Sequence, residues 1–458
     1  MARRTNDLGN DPIGPLLLRL AVPTIVAQLV NALYNIVDRM FIGKIVGVVA
    51  LTGVGVAFPI IMFVSALAGL VGAGGGSRAA VHMGAGDNDR AEAILGNSVT
   101  LLVVLSVACT VLFQIFKEPI LYLFGASPDT IRYATTYLGV YLWGTVSVLL
   151  ALGLNTFITA QGFSTFAMAT TLIGAGCNIA LDALFMVVFH MGVMGAALAT
   201  IISQTFSAVW VVLFLVGKRT KLRIHARHLK VRMRIIGPVL ALGVSPFIMQ
   251  ATESLVNISF NASLQKYGGD LYVGAMTIAS SVMMVATMPF MGLTQGAQPI
   301  ISYNYGAGKT QRVKKTFKLL LISGLTVSIA AFALIQLFPG FFVGIFNNKP
   351  ELVDVTVWAM HIYFGGLFLL GIQFACQQTF VALGEAKVSL FLAALRKIIL
   401  LIPLIFILPN FLANKVFAVY LAEPVADILA SITTGIIFFW RFPKILKRRE
   451  KELGLAEE

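Results

Sequence analysis

The sequence predicts an all-α polytopic membrane protein, with twelve transmembrane helices in two pseudo-symmetric six-helix lobes. Three observations lead there. The 458 residues include only 34 Lys or Arg and 20 Asp or Glu, and 58% are hydrophobic. A soluble domain is about 25% charged and 45–50% apolar. The apolar runs stay unbroken for about 20 residues, as from Leu319 to Phe338, the length of a membrane helix and unlike the alternation of a barrel strand. Finally, the second half repeats the first. An ordinary cytosolic enzyme, a disordered chain and a disulfide scaffold are excluded.

The first span, near 15–41, follows a polar start, MARRTNDLGNDP, that lacks a signal-peptide pattern, so no cleaved leader is expected. Spans near 50–77, 92–116, 132–155, 163–190 and 193–217 complete an N-lobe, 1–217. The most polar break is 218–234, KRTKLRIHARHLKVRMR, with eight Lys or Arg, a basic linker. Spans near 235–264, 272–300, 313–338, 354–380, 388–411 and 415–441 form a C-lobe, 235–441, before a charged tail, 442–458. Cys109, Cys177 and Cys376 lie inside apolar runs without metal or redox spacing and read as small hydrophobes.

The net charge of +14 is explained by location. With the termini and the even-numbered connections on one side, that side collects 25 basic residues, including Arg3, Arg4, the linker and the tail. The other side has seven: Arg39, Lys44, Lys117, Arg132, Lys266, Lys349 and Lys415. Positive residues mark the cytoplasmic side, so both termini are expected there. A nucleic-acid partner is not expected, because the basic linker lacks interleaved aromatics.

The repeat has an offset of 222. GAGGGSRAAVHMGAG (72–86) lies over TQGAQPIISYNYGAG (294–308), which pairs Gly74 with Gly296 and Gly84 with Gly306; Gly162 pairs with Gly384. Six spans per half gives both halves the same orientation, related by an axis along the membrane normal. A pathway between two lobes and alternating access follow. GAGKT (306–310) is not a nucleotide loop. The glycine that loop needs is replaced by Tyr303, and no strand precedes it. Its glycines read as close helix packing and a flexible helix end. Transport is therefore expected to run on an ion gradient, with no cofactor.

Polar residues inside the spans are few. Gln28, Asn31, Asn35 and Asp38 are spaced 3, 4 and 3 on one helix face, and Gln250, Glu253 and Asn257 repeat the stripe in span 7. Such a stripe is costly against lipid, so it faces protein or water. Asn178 and Asp182 stand one turn apart in span 5, inside an otherwise apolar run. A carboxylate there carries a proton or holds a cation. Asp38 can complete a cluster with them across helices, and Thr200 offers a hydroxyl. Glu423 and Asp427 either form a second site or pair with Arg396 or Lys397. Tyr133, Tyr137 and Tyr141, at i, i+4 and i+8, are candidates to line a cavity, as are Met284 and Met288 among the soft side chains of spans 7 and 8.

The chain resembles the multidrug and toxic compound extrusion (MATE) family, particularly its DinF-like and MepA-like prokaryotic branch. The resemblance covers essentially the whole chain. It rests on LAVPTIVAQLVNALYNIVDRMFIG, GAGGGSRAAVHMGAG, GVMGAALATIISQ, MPFMGLTQGAQPIISYNYGAGK and LRKIILLIP. It implies two six-helix lobes forming a V, and export of cationic, amphipathic drugs and dyes by H+ or Na+ antiport. It also implies a cation-coupling cluster at Asp38, Asn178, Asp182 and Thr200, with Na+ as the only metal. A substrate cavity is expected from Gln28, Asn31, Asn35, Tyr137, Tyr141, Gln250, Glu253, Asn257, Met284 and Met288. One departure stands out: Ala160-Gln161-Gly162 replaces the Ala-Glu-Gly common in the branch, which puts the drug range in question if that glutamate binds cationic drugs. The expected protein is a monomer in the cell (inner) membrane. The alternative is a lipid-linked glycan flippase of the same superfamily. That function calls for basic residues inside the N-lobe, and its spans are nearly free of them away from their ends.

Overall fold

The computed structural model describes residues 6–346 and 350–455. Arg3, Arg4 and Lys349, counted above in the charge distribution, lie outside the described residues. Among the described residues there is no strand. The first half contains α1 (Ile13–Phe41), α2 (Val48–Gly84), α3 (Asn88–Leu123), α4 (Ile131–Trp143), α5 (Thr145–Ala160), α6 (Ser164–Asp182) and α7 (Gly192–Val216). The second contains α8 (Met233–Tyr267), α9 (Asp270–Gly306), α10 (Thr310–Leu337), the short α11 (Pro339–Gly344), α12 (Pro350–Tyr363), α13 (Leu370–Ala382), α14 (Ala386–Ala394), α15 (Ile402–Ile407) and α16 (Lys415–Glu452). Eleven helical segments are long and apolar enough to cross a membrane, and α4 with α5 makes a twelfth, bent by 59°.

The repeat is kept at the level of elements. Both α2 and α9 have 37 residues, and they begin 222 residues apart, at Val48 and Asp270. Gly144 breaks the span between α4 and α5, and its repeat partner Gly366 lies in the 3-10 stretch Phe364–Leu369 between α12 and α13. The paired glycines Gly162 and Gly384 have φ of 91° and 81°. Both sit just past a helix end in the left-handed region that a side chain resists.

The halves meet along α1, α2, α8 and α9, where α1 packs on α9 and α2 on α8. Small residues permit the approach. A methyl group on Gly74 or Gly243 would collide with the backbone of Val239 or Leu70, and one on Gly84 or Gly306 with that of Tyr303 or Val81. Thr24 donates to Gly292 O at 2.6 Å and Gln28 to Gln295 Oε1 at 3.2 Å, while Gln298 bonds Ser77. Among the described residues, every hydrogen bond between the two halves lies between the termini end and the middle of these helices. No residue of α1 is buried after Thr24, so the seam is closed on the termini side and loosens toward the opposite face.

Two features depart from the simple lobe boundaries. Leu8, Leu16, Leu17, Leu20 and Ala21 share one buried cluster with Leu293, Ile300, Val313, Phe317 and Phe438 of the second half. The packing thus crosses the boundary placed at 217, because the apolar face of the first turns of α1 lies against α9. The residues after 441 also continue α16 as helix to Glu452. Arg449 ties that end to α9, donating to Gly306 O at 2.7 Å and Tyr305 O at 3.2 Å.

Candidate functional site

The first half brings the predicted coupling residues together. α1 packs on α6, and α6 on α7, so Asp38, Asp182 and Thr200 converge from three helices. Asp38 lies about 12 Å of helix rise from the end of its span at Val46, on the side where the seam opens. Asp182 is the last residue of α6 before the π-helical turn Ala183–Val188. Such turns are rare and concentrate at functional sites.

Asp182 is 0% exposed and Asn178 is 1% exposed. The carboxyls of Asp38 and Asp182 lie within reach of a shared proton. Asn178 Nδ2 reaches Thr200 Oγ1 at 3.5 Å, and Thr200 donates to Ala196 O at 3.0 Å. Four oxygens remain buried without a hydrogen-bond partner: Asp38 Oδ1, both oxygens of Asp182, and Asn178 Oδ1. Burying unpaired carboxylates is expensive, so this arrangement calls for a shared proton or a bound cation. An all-oxygen donor set suits a hard cation.

Tyr137 and Tyr141 of α4 wall the cluster, with stacked rings 6.4 Å apart, and Tyr137 lies beside Asp38 and Thr200. Tyr34 belongs here too, next to Asp38 and Asp182. It is missing from the predicted residues, although its signal is in the sequence: Tyr34 and Asp38 are one helical turn apart.

Other predicted residues stand elsewhere. Gln28 is engaged at the seam, and Asn35 donates to Asn31 O at 2.7 Å. In the second half, Glu253 pairs with Lys397, and Asn257 donates to the backbone of Glu253. Gln250 lies near Gly69 of α2, Met288 is buried at 8% exposure, and Met284 is 52% exposed. Glu423 and Asp427 take the paired alternative. Arg396 donates to Asp427 Oδ1 at 2.7 Å and to Glu423 Oε1 at 3.2 Å. Lys397 also donates to Met249 O at 2.9 Å. Arg396 and Lys397 both lie in another π-helical stretch, Leu395–Leu401.

Gln161 faces no cleft. It is 0% exposed, and its Oε1 accepts from Thr220 Oγ1 and from the backbone N–H groups of Lys221 and Leu222 at 2.8–2.9 Å. The side chain clasps the linker.

The profile of the MatE family matches residues 23–184 and, again, 246–407. The chain belongs to the MatE family. This member is a multi-pass membrane transporter, not an enzyme. The multidrug export protein MepA of Staphylococcus haemolyticus (strain JCSC1435) is 24% identical over 416 residues, covering 90% of this chain and 91% of that protein. MepA of Staphylococcus aureus (strain NCTC 8325 / PS 47) is 22% identical over 428 residues, covering 93% and 94%. Among solved structures, an outward-facing conformation of a multidrug resistance MATE family transporter of the MOP superfamily shares the fold with a TM-score of 0.90 at 23% identity, covering 97% and 99%. A MATE structure in the bent conformation gives 0.91 at 23% identity, covering 97% and 100%. The two matched segments of the MatE profile have the same length and fall on the two halves of the internal repeat.

Proposed function

We propose that the protein is a secondary active multidrug efflux transporter, exporting cationic, amphipathic compounds by H+ or Na+ antiport through alternating access. The observation that carries this reading is the buried Asp38–Asp182 pair with four unpartnered oxygens. It lies in one half of a bundle whose seam is closed at one end only. The similarity to multidrug export proteins supports the substrate class. The charge asymmetry supports cytoplasmic termini, and the protein is proposed to act as a monomer in the cell (inner) membrane.

In this scheme a proton or Na+ enters from the open outer face and is held by Asp38 and Asp182, with Asn178 and Thr200 completing the shell. Neutralising the pair removes the repulsion between two carboxylates at the α1–α6 contact and lets these helices repack. Substrate leaves outward, and the lobes rock about the glycine-lined seam. The gradient supplies about 2.3 kcal/mol per charge for each 100 mV and about 1.4 kcal/mol per proton for each pH unit.

Dye efflux from membrane vesicles, with pH and Na+ gradients imposed separately, tests the coupling. One of the two gradients is expected to drive efflux by itself. Efflux that persists with both collapsed overturns the antiport reading.

A further inference from the structure

Two pairs of ligand-type side chains face each other on the termini side, far from the acid cluster. Asp89 and Glu92 stand at i and i+3 at the start of α3. His225 and His228 stand at i and i+3 around the 3-10 turn Ala226–His228 of the linker. Asp89, Glu92 and His228 each offer a ligand atom within 4.8 Å of the others. His225 Nε2 is 3.3 Å from Glu92 Oε2, which brings a fourth donor to the group. His228 is only 5% exposed, its Nδ1 has no partner, and its Nε2 faces Asp89 Oδ1 at 3.5 Å. One nitrogen of this buried ring is unpartnered, and the other accepts only from the exposed Arg227, which leaves the ring short of a lasting partner.

We infer that this cluster is a binding site for a borderline divalent transition-metal ion, of which Zn2+ is the type. Two imidazoles with two carboxylates form a zinc-type donor set; Mg2+ and Ca2+ take oxygens. Metal–ligand bonds of about 2.0–2.2 Å place tetrahedral ligand atoms about 3.4 Å apart. The Asp89 and His225 side chains, 70% and 42% exposed, are free to turn inward and close the remaining gap.

Arg227 explains how Asp89 is held without a metal. Its Nη2 donates to Asp89 Oδ1 at 2.6 Å and its Nε to His228 Nε2 at 3.1 Å. The guanidinium thus occupies two of the atoms that a metal would take. Its side chain is 66% exposed and free to swing into water, so Arg227 is a tethered competitor for the metal.

The surrounding backbone is already fixed. Asn97 donates to His228 O at 3.1 Å and accepts from Arg232 N at 2.8 Å, and Thr100 donates to Leu229 O at 2.6 Å. Gly96 lies so close to the backbone of His228 that a methyl group there would collide. A bound metal staples the connection between the two halves onto α3 of the first.

The test uses the tag-free full-length protein in detergent, stripped with chelator and titrated with ZnCl2 by calorimetry and with CoCl2 by optical absorption. One Zn2+ per chain is expected, with the visible absorption of Co2+ in a nitrogen–oxygen tetrahedral site. Glu92→Gln and His225→Gln should each weaken binding at least about tenfold, and Arg227→Ala should tighten it. His228→Gln is informative only where the variant folds, so the double variant Glu92→Gln/His225→Gln decides. Absence of stoichiometric Zn2+ in the wild type, or an unchanged affinity in that double variant, overturns the site. Weaker binding in Arg227→Ala overturns the competitor role.

Discussion

At the scale of single residues, Asp182 is the most demanding side chain in the first half, with two carboxylate oxygens that no donor meets. Asp182→Asn keeps the shape and removes the charge. It is expected to abolish dye efflux from cells while the amount of folded, membrane-inserted protein stays the same. Efflux at the wild-type level would remove Asp182 from the mechanism. Arg396 poses the opposite case. Its removal leaves Glu423 and Asp427 buried and uncompensated, and losing one partner of a buried pair costs about 3–5 kcal/mol. Arg396→Ala should markedly lower the thermal unfolding temperature in detergent, and adding Asp427→Asn should restore part of it. Asp38, Asn178, Asp182 and Thr200 were legible in the sequence because polar residues are scarce inside apolar runs. Tyr34 was missed because, beside the amides Asn31 and Asn35, its largely apolar ring stands out less, although it lies one turn before Asp38. The role of Gln161 could not be read at all, since its partners are the Thr220 hydroxyl and two backbone N–H groups, 59–61 residues later in the chain.

At the scale of elements, hydropathy located twelve spans but not their irregularities. The elbow between α4 and α5 and the π-helical turns beside Asp182 and around Arg396 are set by packing between helices, which leaves no periodic trace in one strand of sequence. The elbow has a testable consequence. A methyl group on Gly144 would collide with the side chain of Ile201, the residue after Thr200. Gly144→Ala should therefore displace α7 and reduce efflux with the fold retained. Ile201→Ala in the same chain should recover part of the loss, a coupling that two independent changes would not show.

At the scale of the whole molecule, the repeat becomes a seam with two-fold character. Gly74 of α2 meets α8, and its repeat partner Gly296 of α9 meets α1 at Ala21. The paired glycines were visible in the sequence; that they face each other's half was not. Gly243→Ala pushes α2 and α8 apart at the closed end, so it should shift the population away from the outward-open form. A cysteine placed at Ser77 should then react with maleimide faster than in the parent chain. An unchanged labelling rate would mean that this contact does not hold the seam shut.

The burial of Leu8 to Ala21 against the second half also sets an order on biosynthesis. The first helix leaves the ribosome long before its partners in α9 and α10 exist, a gap of about 300 residues, or roughly 15–60 s of translation. During that interval one side of α1 has only lipid, or an insertion factor, to cover it. The first helix to be made is thus among the last to be fully seated. Assembly of the molecule closes at its own beginning.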